Sequence, residues 1–317
     1  MSFLSRTQAQ FLYDSSRKWF TLVSALICPA TFVINAPFGR FAQKGESFLS
    51  FDGRKSWVVM EIVSPITFLY SFISSPLSPG ASISLSQKIL ACAYLIHYAN
   101  RSLISPLRTP SRSKSHIIVP FLGILFNTFN GSLMGSYLSS PAAREYTNSI
   151  GPLFYVGIFL WAFGLVGNIV HDEILLNLRR KAKTKGKDTA NDGSGNQTSK
   201  TSGEHYSIPY GLLYEYISYP NYFCEWIEWA GFAIAASPIP RLSFQSILTV
   251  LTSKDAFFAF LYARPGAFAP TLTPPWIFLL NEMVLMVPRA YKGHQWYHER
   301  FGESYPKERK IVIPFVL

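Results

Sequence analysis

The chain has 317 residues, 49% hydrophobic and 16% aromatic but only 15% charged, against roughly 25% charged in soluble domains. With a mean hydropathy of +0.17, this composition excludes an ordinary soluble enzyme. The net charge of +11 does not mark a nucleic-acid binder either, because the basic residues fall in loops between apolar segments rather than on a basic helix interleaved with stacking aromatics.

Residues 19–39, 62–87, 117–143 and 151–170 contain no Asp, Glu, Lys or Arg, and about 20 apolar residues suffice to cross a bilayer. The expectation is an all-α polytopic membrane protein forming one domain over 1–317. The first apolar helix is predicted from about Trp19 to Ala36, after Arg17-Lys18, and is stopped by the Pro37-Phe38-Gly39-Arg40 turn cluster. No cleavage site of small residues follows it, so it reads as an uncleaved helix rather than a signal peptide. The second, about Ser56 to Ser75, carries Glu61 inside its apolar run. An acid inside a span is a functional-site hypothesis by default, the alternative being a carboxylate bonded to a neighbouring helix for packing.

The third helix, about Lys88 to Ile104, puts His97 and Arg101 four apart on one face with Tyr98 beside them. Alone, that triplet is equally an aromatic belt with a snorkelling base. The fourth, about His116 to Leu138, contains Asn127 and Asn130. The fifth, about Gly151 to Leu176, ends in a stretch where Asn168, Asp172 and Arg179 project from nearly one face. These can hold a hydroxyl, an amide and a phosphate, or can close on themselves as a helix-end ion pair.

Residues 182–204 read as a flexible basic and polar loop insertion. The stretch from Tyr206 to Glu228 follows, with Asn221, Glu225 and Glu228 near one helical face. Those acids either meet a ligand or face water from an interfacial helix. A sixth apolar segment continues from Glu225 through Pro240, and a seventh runs from about Pro275 to Val287. Cys28, Cys92 and Cys224 lack metal-ligand spacing and read as buried thiols without a disulfide framework, so no metal site is expected. Lys and Arg concentrate in the loops at 40–55, 106–116 and 178–205. The positive-inside rule makes these cytosolic, with the N-terminus outside and the C-terminus inside, although Arg6, Arg17 and Lys18 pull the other way.

The ordered set of motifs resembles the steroid 5-alpha-reductase family. It comprises Glu61, His97-Tyr98-x-x-Arg101, Asn130-Gly131, Asn168…Asp172…Leu175 and Tyr206-Ser-Ile-Pro209. It continues through Asn221-Tyr-Phe-x-Glu225-x-x-Glu228-Trp229, Pro288-Arg289-Ala290, Gln295-Trp296-Tyr297 and Tyr305-Pro306-Lys307-Glu308-Arg309-Lys310. The resemblance covers nearly the whole chain. It implies a bundle of seven transmembrane helices whose cytosolic loops cover an NADPH site. It also implies an endoplasmic reticulum membrane location and a monomer that takes a lipid-like steroid from the membrane. Cofactor contacts implied by the family are Arg101, Arg112, Asn168, Asp172, Arg179, Tyr206, Asn221, Glu225 and Tyr297; the catalytic pair implied is Glu61 and Tyr98. No G-x-G-x-x-G fingerprint is present.

The implied reaction reduces the 4,5 double bond of a 3-oxo-4-ene steroid. Tyr98 would donate a hydrogen bond to the carbonyl oxygen as hydride arrives, and Glu61 would orient Tyr98 or donate as well. Departures from the family pattern are Tyr210-Gly211-Leu212 in place of a Gly-Gly pair, Ser207 in place of a basic residue, Gly293-His294 in place of paired histidines, and insertions at 182–204 and 242–274. The alternatives are a reductase of another conjugated lipid, such as an enoyl-CoA or a polyprenal, and a membrane methyltransferase of similar architecture or a silent sterol-binding protein.

Overall fold

Two helix pairs packed backbone to backbone frame the interior of the computed structural model, which describes residues 5–35, 37–41, 48–110, 112–191, 206–241 and 243–317. Helices α1 (Arg6–Val33), α2 (Gly53–Ser74) and α3 (Leu85–Ala99) come first. Then follow α4 (Ser105–Arg108), α5 (Ile118–Leu138), α6 (Pro141–Ser149), α7 (Pro152–Asn191) and α8 (Pro220–Ala236). The chain ends with α9 (Phe244–Thr252), α10 (Lys254–Tyr262) and α11 (Pro274–Phe301). In the α7/α8 pair, a Cβ added at Gly164 would lie 2.3 Å from Glu228 N, and one at Gly231 would lie 2.5 Å from Trp161 N. In the α2/α5 pair, a Cβ at Gly131 would lie 2.3 Å from Ser64 O. Small residues let membrane helices approach this closely, since dispersion contacts, not water, drive their association.

Of the described helices, α2, α5 and the Pro152–Ala182 part of α7 are long and apolar enough to cross a membrane. The protein is therefore mostly helical with apolar membrane-type helices. The other predicted segments differ from these three for visible reasons. Helix α1 is 28 residues long but carries Asp14, Arg17 and Lys18, and α8 has only 17 residues. Helix α3 stops at Ala99 because residues 100–104 form a π turn, with Ser105 N bonding back to Asn100 O. Pro106 lies just beyond; it has no N–H to give an α-helical ladder.

Several boundaries move outward. Helix α1 begins at Arg6 because Ser5 and Gln8 form a capping box, and α11 runs through Pro288 to Gly302 (φ 51°). Helix α7 continues through the basic residues to Asn191, so the predicted loop insertion is helical over its first part; the remainder, 192–204, lies outside the described residues. Helices α6, α9 and α10 lie outside the predicted apolar segments. All three cysteines are free, but only Cys224 is buried; Cys92 is exposed and Cys28 half-buried. The general expectation of buried thiols thus holds for one of them, because Cys92 lies on the outward face of α3.

The two bases that conflicted with the charge rule are consumed locally. The Arg17 guanidinium donates to the carbonyls of Phe268, Ala269 and Leu272 at 2.7, 2.6 and 2.9 Å. Lys18 Nζ donates to Ala263 O at 2.8 Å. Both side chains are buried. A two-stranded pairing of β1 (Ser50–Phe51) with β2 (Ser115–His116) ties the start of α2 to the start of α5. The C-terminal tail is stitched beside α8: Lys310 N bonds to Tyr216 O, Ser218 N to Lys310 O and Tyr219 N to Ile311 O, at 2.8–3.0 Å.

Candidate active site

The polar residues of α3, α7 and α8 converge because each lies on the face its helix turns inward. Arg101, in the π turn, is the centre of the cluster. Its Nε is 3.4 Å from Glu61 Oε1 and its Nη1 is 3.0 Å from Glu225 Oε1. Asn168 Nδ2 donates to Glu225 Oε2 at 3.1 Å. His97 Nδ1 lies 2.7 Å from Glu228 Oε1, and His97 Nε2 is 4.0 Å from Glu225 Oε1. Glu228 is wholly buried, with Oε2 lacking a hydrogen-bond partner. The π turn has a local role here: the wider turn shifts Arg101 relative to a regular α3 and so places it between α2 and α8.

A cavity of about 320 Å³ opens beside this cluster. Arg101, Arg112, Asn168, Asp172, Arg179, Asn221, Glu225 and Tyr297 all line it. Asn168, Asp172 and Arg179 share the wall provided by α7, as their spacing predicts, and Asn221 Nδ2 donates to Asp172 Oδ1 at 3.1 Å across to α8. Arg112 lies 3.8 Å over the Trp57 ring. Burial, followed by the charges of Arg179 and Arg101, pulls its guanidinium down to about 10. Such a base gains from an anion nearby. Arg108, in the same basic loop, is committed to Glu173 at 2.7 Å, where Arg180 also binds at 2.6 Å. Tyr206 is not among the residues lining the cavity; its ring lies 4.9 Å from that of Trp296.

Glu61 and Tyr98 are both buried, but no hydrogen bond joins them. Glu61 goes to Arg101. The Tyr98 hydroxyl oxygen instead accepts from Asn130 Nδ2 at 2.9 Å, and the same Nδ2 donates to the Tyr94 hydroxyl oxygen at 3.1 Å. Tyr94 is in turn held by Ser64 Oγ at 2.6 Å. The expected direct orientation of Tyr98 by Glu61 is therefore replaced by Asn130. This follows from packing: α5 presses on α2 through Gly131, and Asn130 is its neighbour in sequence.

Sequence reasoning missed Arg40 and Arg289, which also line the cavity. Arg40 is ringed by Tyr206, Tyr219, Trp296 and Tyr297, at 4.6–5.9 Å from their centroids. Gly39, just before it, has a left-handed backbone (φ 62°), and a Cβ there would meet Arg289 Nη2 at 3.2 Å. The Pro/Gly cluster around Arg40 signalled only a turn, although a base inside such a turn was a usable clue. As a donor set, five lining arginines, two acids and three asparagine amides suit a ligand carrying phosphates and hydroxyls.

A family model described as 3-oxo-5-alpha-steroid 4-dehydrogenase matches residues 113–264 and 267–317. An uncharacterized protein of Schizosaccharomyces pombe is 36% identical, covering 96% of this chain and 99% of its own length. The 3-oxo-5-alpha-steroid 4-dehydrogenase 1 of Rattus norvegicus is 32% identical over 90% of this chain and 87% of its own. Steroid 5-alpha-reductase DET2 of Solanum lycopersicum is 28% identical over 94% and 95%. The chain belongs to the 3-oxo-5-alpha-steroid 4-dehydrogenase family of oxidoreductases.

Proposed function

We propose that the protein reduces the 4,5 carbon–carbon double bond of a 3-oxo-4-ene steroid with NADPH, acting as a monomer of seven transmembrane helices in the endoplasmic reticulum membrane. The observation that carries this reading is a juxtaposition: Arg101, which lines a cavity rich in arginines, stands three residues after the buried Tyr98. In this reading Arg112 and Arg179 hold the phosphates, while Asp172, Asn168 and Asn221 meet hydroxyl and amide groups. Bound NADPH supplies the hydride. The protein's own part is to align the acceptor, exclude water and stabilise negative charge on its carbonyl oxygen. Tyr98 does the last of these. Asn130 donates to the Tyr98 oxygen, which leaves the hydroxyl hydrogen for an acceptor. Glu61, paired with Arg101, holds that arginine at the cavity.

The test is a panel of enone lipids incubated with purified protein and NADPH, followed by cofactor absorbance. Steroids with the 3-oxo-4-ene group are expected to consume NADPH, whereas enoyl-CoA and polyprenal substrates are not. Tyr98→Phe removes the hydroxyl and keeps the ring. Losing one oxyanion donor typically slows turnover about 100- to 1,000-fold, and cofactor retention should be unchanged. Full turnover by Tyr98→Phe would remove this tyrosine from the chemistry. Co-purified S-adenosylmethionine would replace the reductase reading with a methyltransferase.

A further inference from the structure

One buried acid has no part in the network above. Glu282 on α11 is only 9% exposed, and its Oε2 has no hydrogen-bond partner. On a helix, Phe278, Glu282, Met286 and Arg289 share one face. Met286 and Arg289 line the polar cavity. At the other end, the Phe278 ring packs at 4.5 Å against Trp229, whose ring is 6.5 Å from that of Tyr98. Glu282 therefore occupies the position between the cavity and the tyrosine. Its neighbour Asn281 points the other way and donates to Phe20 O on α1.

Among the described residues no cation lies within ion-pairing distance of Glu282, whereas Arg101 is shared by Glu61 and Glu225 and His97 lies against Glu228. Burying an unpaired carboxylate is expensive. A neutral carboxyl needs no counter-ion and offers one O–H donor. Packing alone gives no reason for an acid here, because an apolar side chain of similar size would fill the space without an unsatisfied oxygen.

Saturating a conjugated ketone takes up one hydride at the β-carbon and one proton at the α-carbon. Tyr98 is assigned to the carbonyl oxygen, so the carbon-bound proton needs another source. We propose that Glu282 is the proton donor to the α-carbon of the acceptor. This rests on the enone-reductase reading, with the hydride drawn from a reduced nicotinamide. As the carbonyl re-forms, the carbon–carbon electron pair of the enolate takes the proton from the Glu282 carboxyl. A new α C–H bond forms, the O–H bond breaks, and a carboxylate remains. Water entering the polar cavity, one helical turn away at Met286, returns the proton.

The test runs the proton step without the redox step. The saturated ketone product is incubated with wild-type protein in D2O, with and without oxidised NADP, and deuterium at the former double-bond α-carbon is read by mass spectrometry. Wild type is expected to exchange that position well above buffer alone. General acid–base groups typically contribute about 100- to 10,000-fold, so Glu282→Gln should lower the enzyme-dependent exchange at least about 100-fold while retaining cofactor. Glu282→Asp, which keeps the acid one methylene shorter, should exchange at an intermediate rate and guards against a folding artefact. Exchange by Glu282→Gln at the wild-type rate would overturn the proposal. So would a wild type that reduces enones with NADPH but exchanges no deuterium. A wild type that neither reduces enones nor exchanges would instead sink the reductase reading beneath it.

Discussion

Arg179 stands where the helix of Asn168 and Asp172 meets the cavity, a place suited to the 2′-phosphate that distinguishes NADPH from NADH. Arginine recognises phosphate through a planar fork that is always charged. A hydrogen bond to a charged group is worth about 1.5–3 kcal/mol, so Arg179→Ala should raise the apparent constant for NADPH about 10- to 100-fold and leave that for NADH nearly unchanged. Steady-state kinetics with both cofactors checks this; equal losses would make Arg179 a structural residue. At this scale, the sequence made the residues of one helix legible because spacing alone puts Asn168, Asp172 and Arg179 on one face. Partners across helices were not legible. Glu61 meets Arg101 rather than Tyr98, and Asn130 meets Tyr98, because helix packing decides which faces touch. Glu282 was hidden for a simpler reason: one acid in an apolar run leaves the hydropathy signal almost unchanged.

Between elements, α7 and α8 must stay in backbone contact for Asn168 to reach Glu225 and Asp172 to reach Asn221. Gly164→Ala would place a methyl group 2.3 Å from Glu228 N, and overpacking of this kind typically costs about 1–3 kcal/mol. We expect a lowered melting temperature together with loss of cofactor retention, measured in detergent. Gly266→Ala, whose Cβ would find only Asp14 Oδ2 at 3.5 Å, serves as the control and should change neither. Helix interiors were readable from their apolar runs, but their ends were less so. Helix α11 outlasts its apolar stretch because charged and aromatic residues continue the helix past Pro288, and α3 gives way early to a π turn that hydropathy does not encode.

For the whole molecule, the orientation proposed from Lys and Arg gains coherence from Arg17 and Lys18, whose charge is met by backbone carbonyls of residues 263–272. The sequon Asn196-Gln197-Thr198 lies outside the described residues, yet it follows α7 on the side assigned to the cytosol and should carry no glycan. Glycan found on Asn196 by mass spectrometry would invert the orientation. Composition and apolar runs made the membrane class legible, whereas the number of crossings was not, because α1 and α11 mix charges into their length. The stitched C-terminal tail has a consequence for biosynthesis. Ser218 and Tyr219, which line the cavity, donate backbone bonds to the carbonyls of Lys310 and Ile311, residues a ribosome adds only after α11. Helices can enter the bilayer one after another as they are translated, but this wall of the cavity cannot be finished until residues 310–311 have followed them. The nascent chain is thus an inserted protein before it is an enzyme.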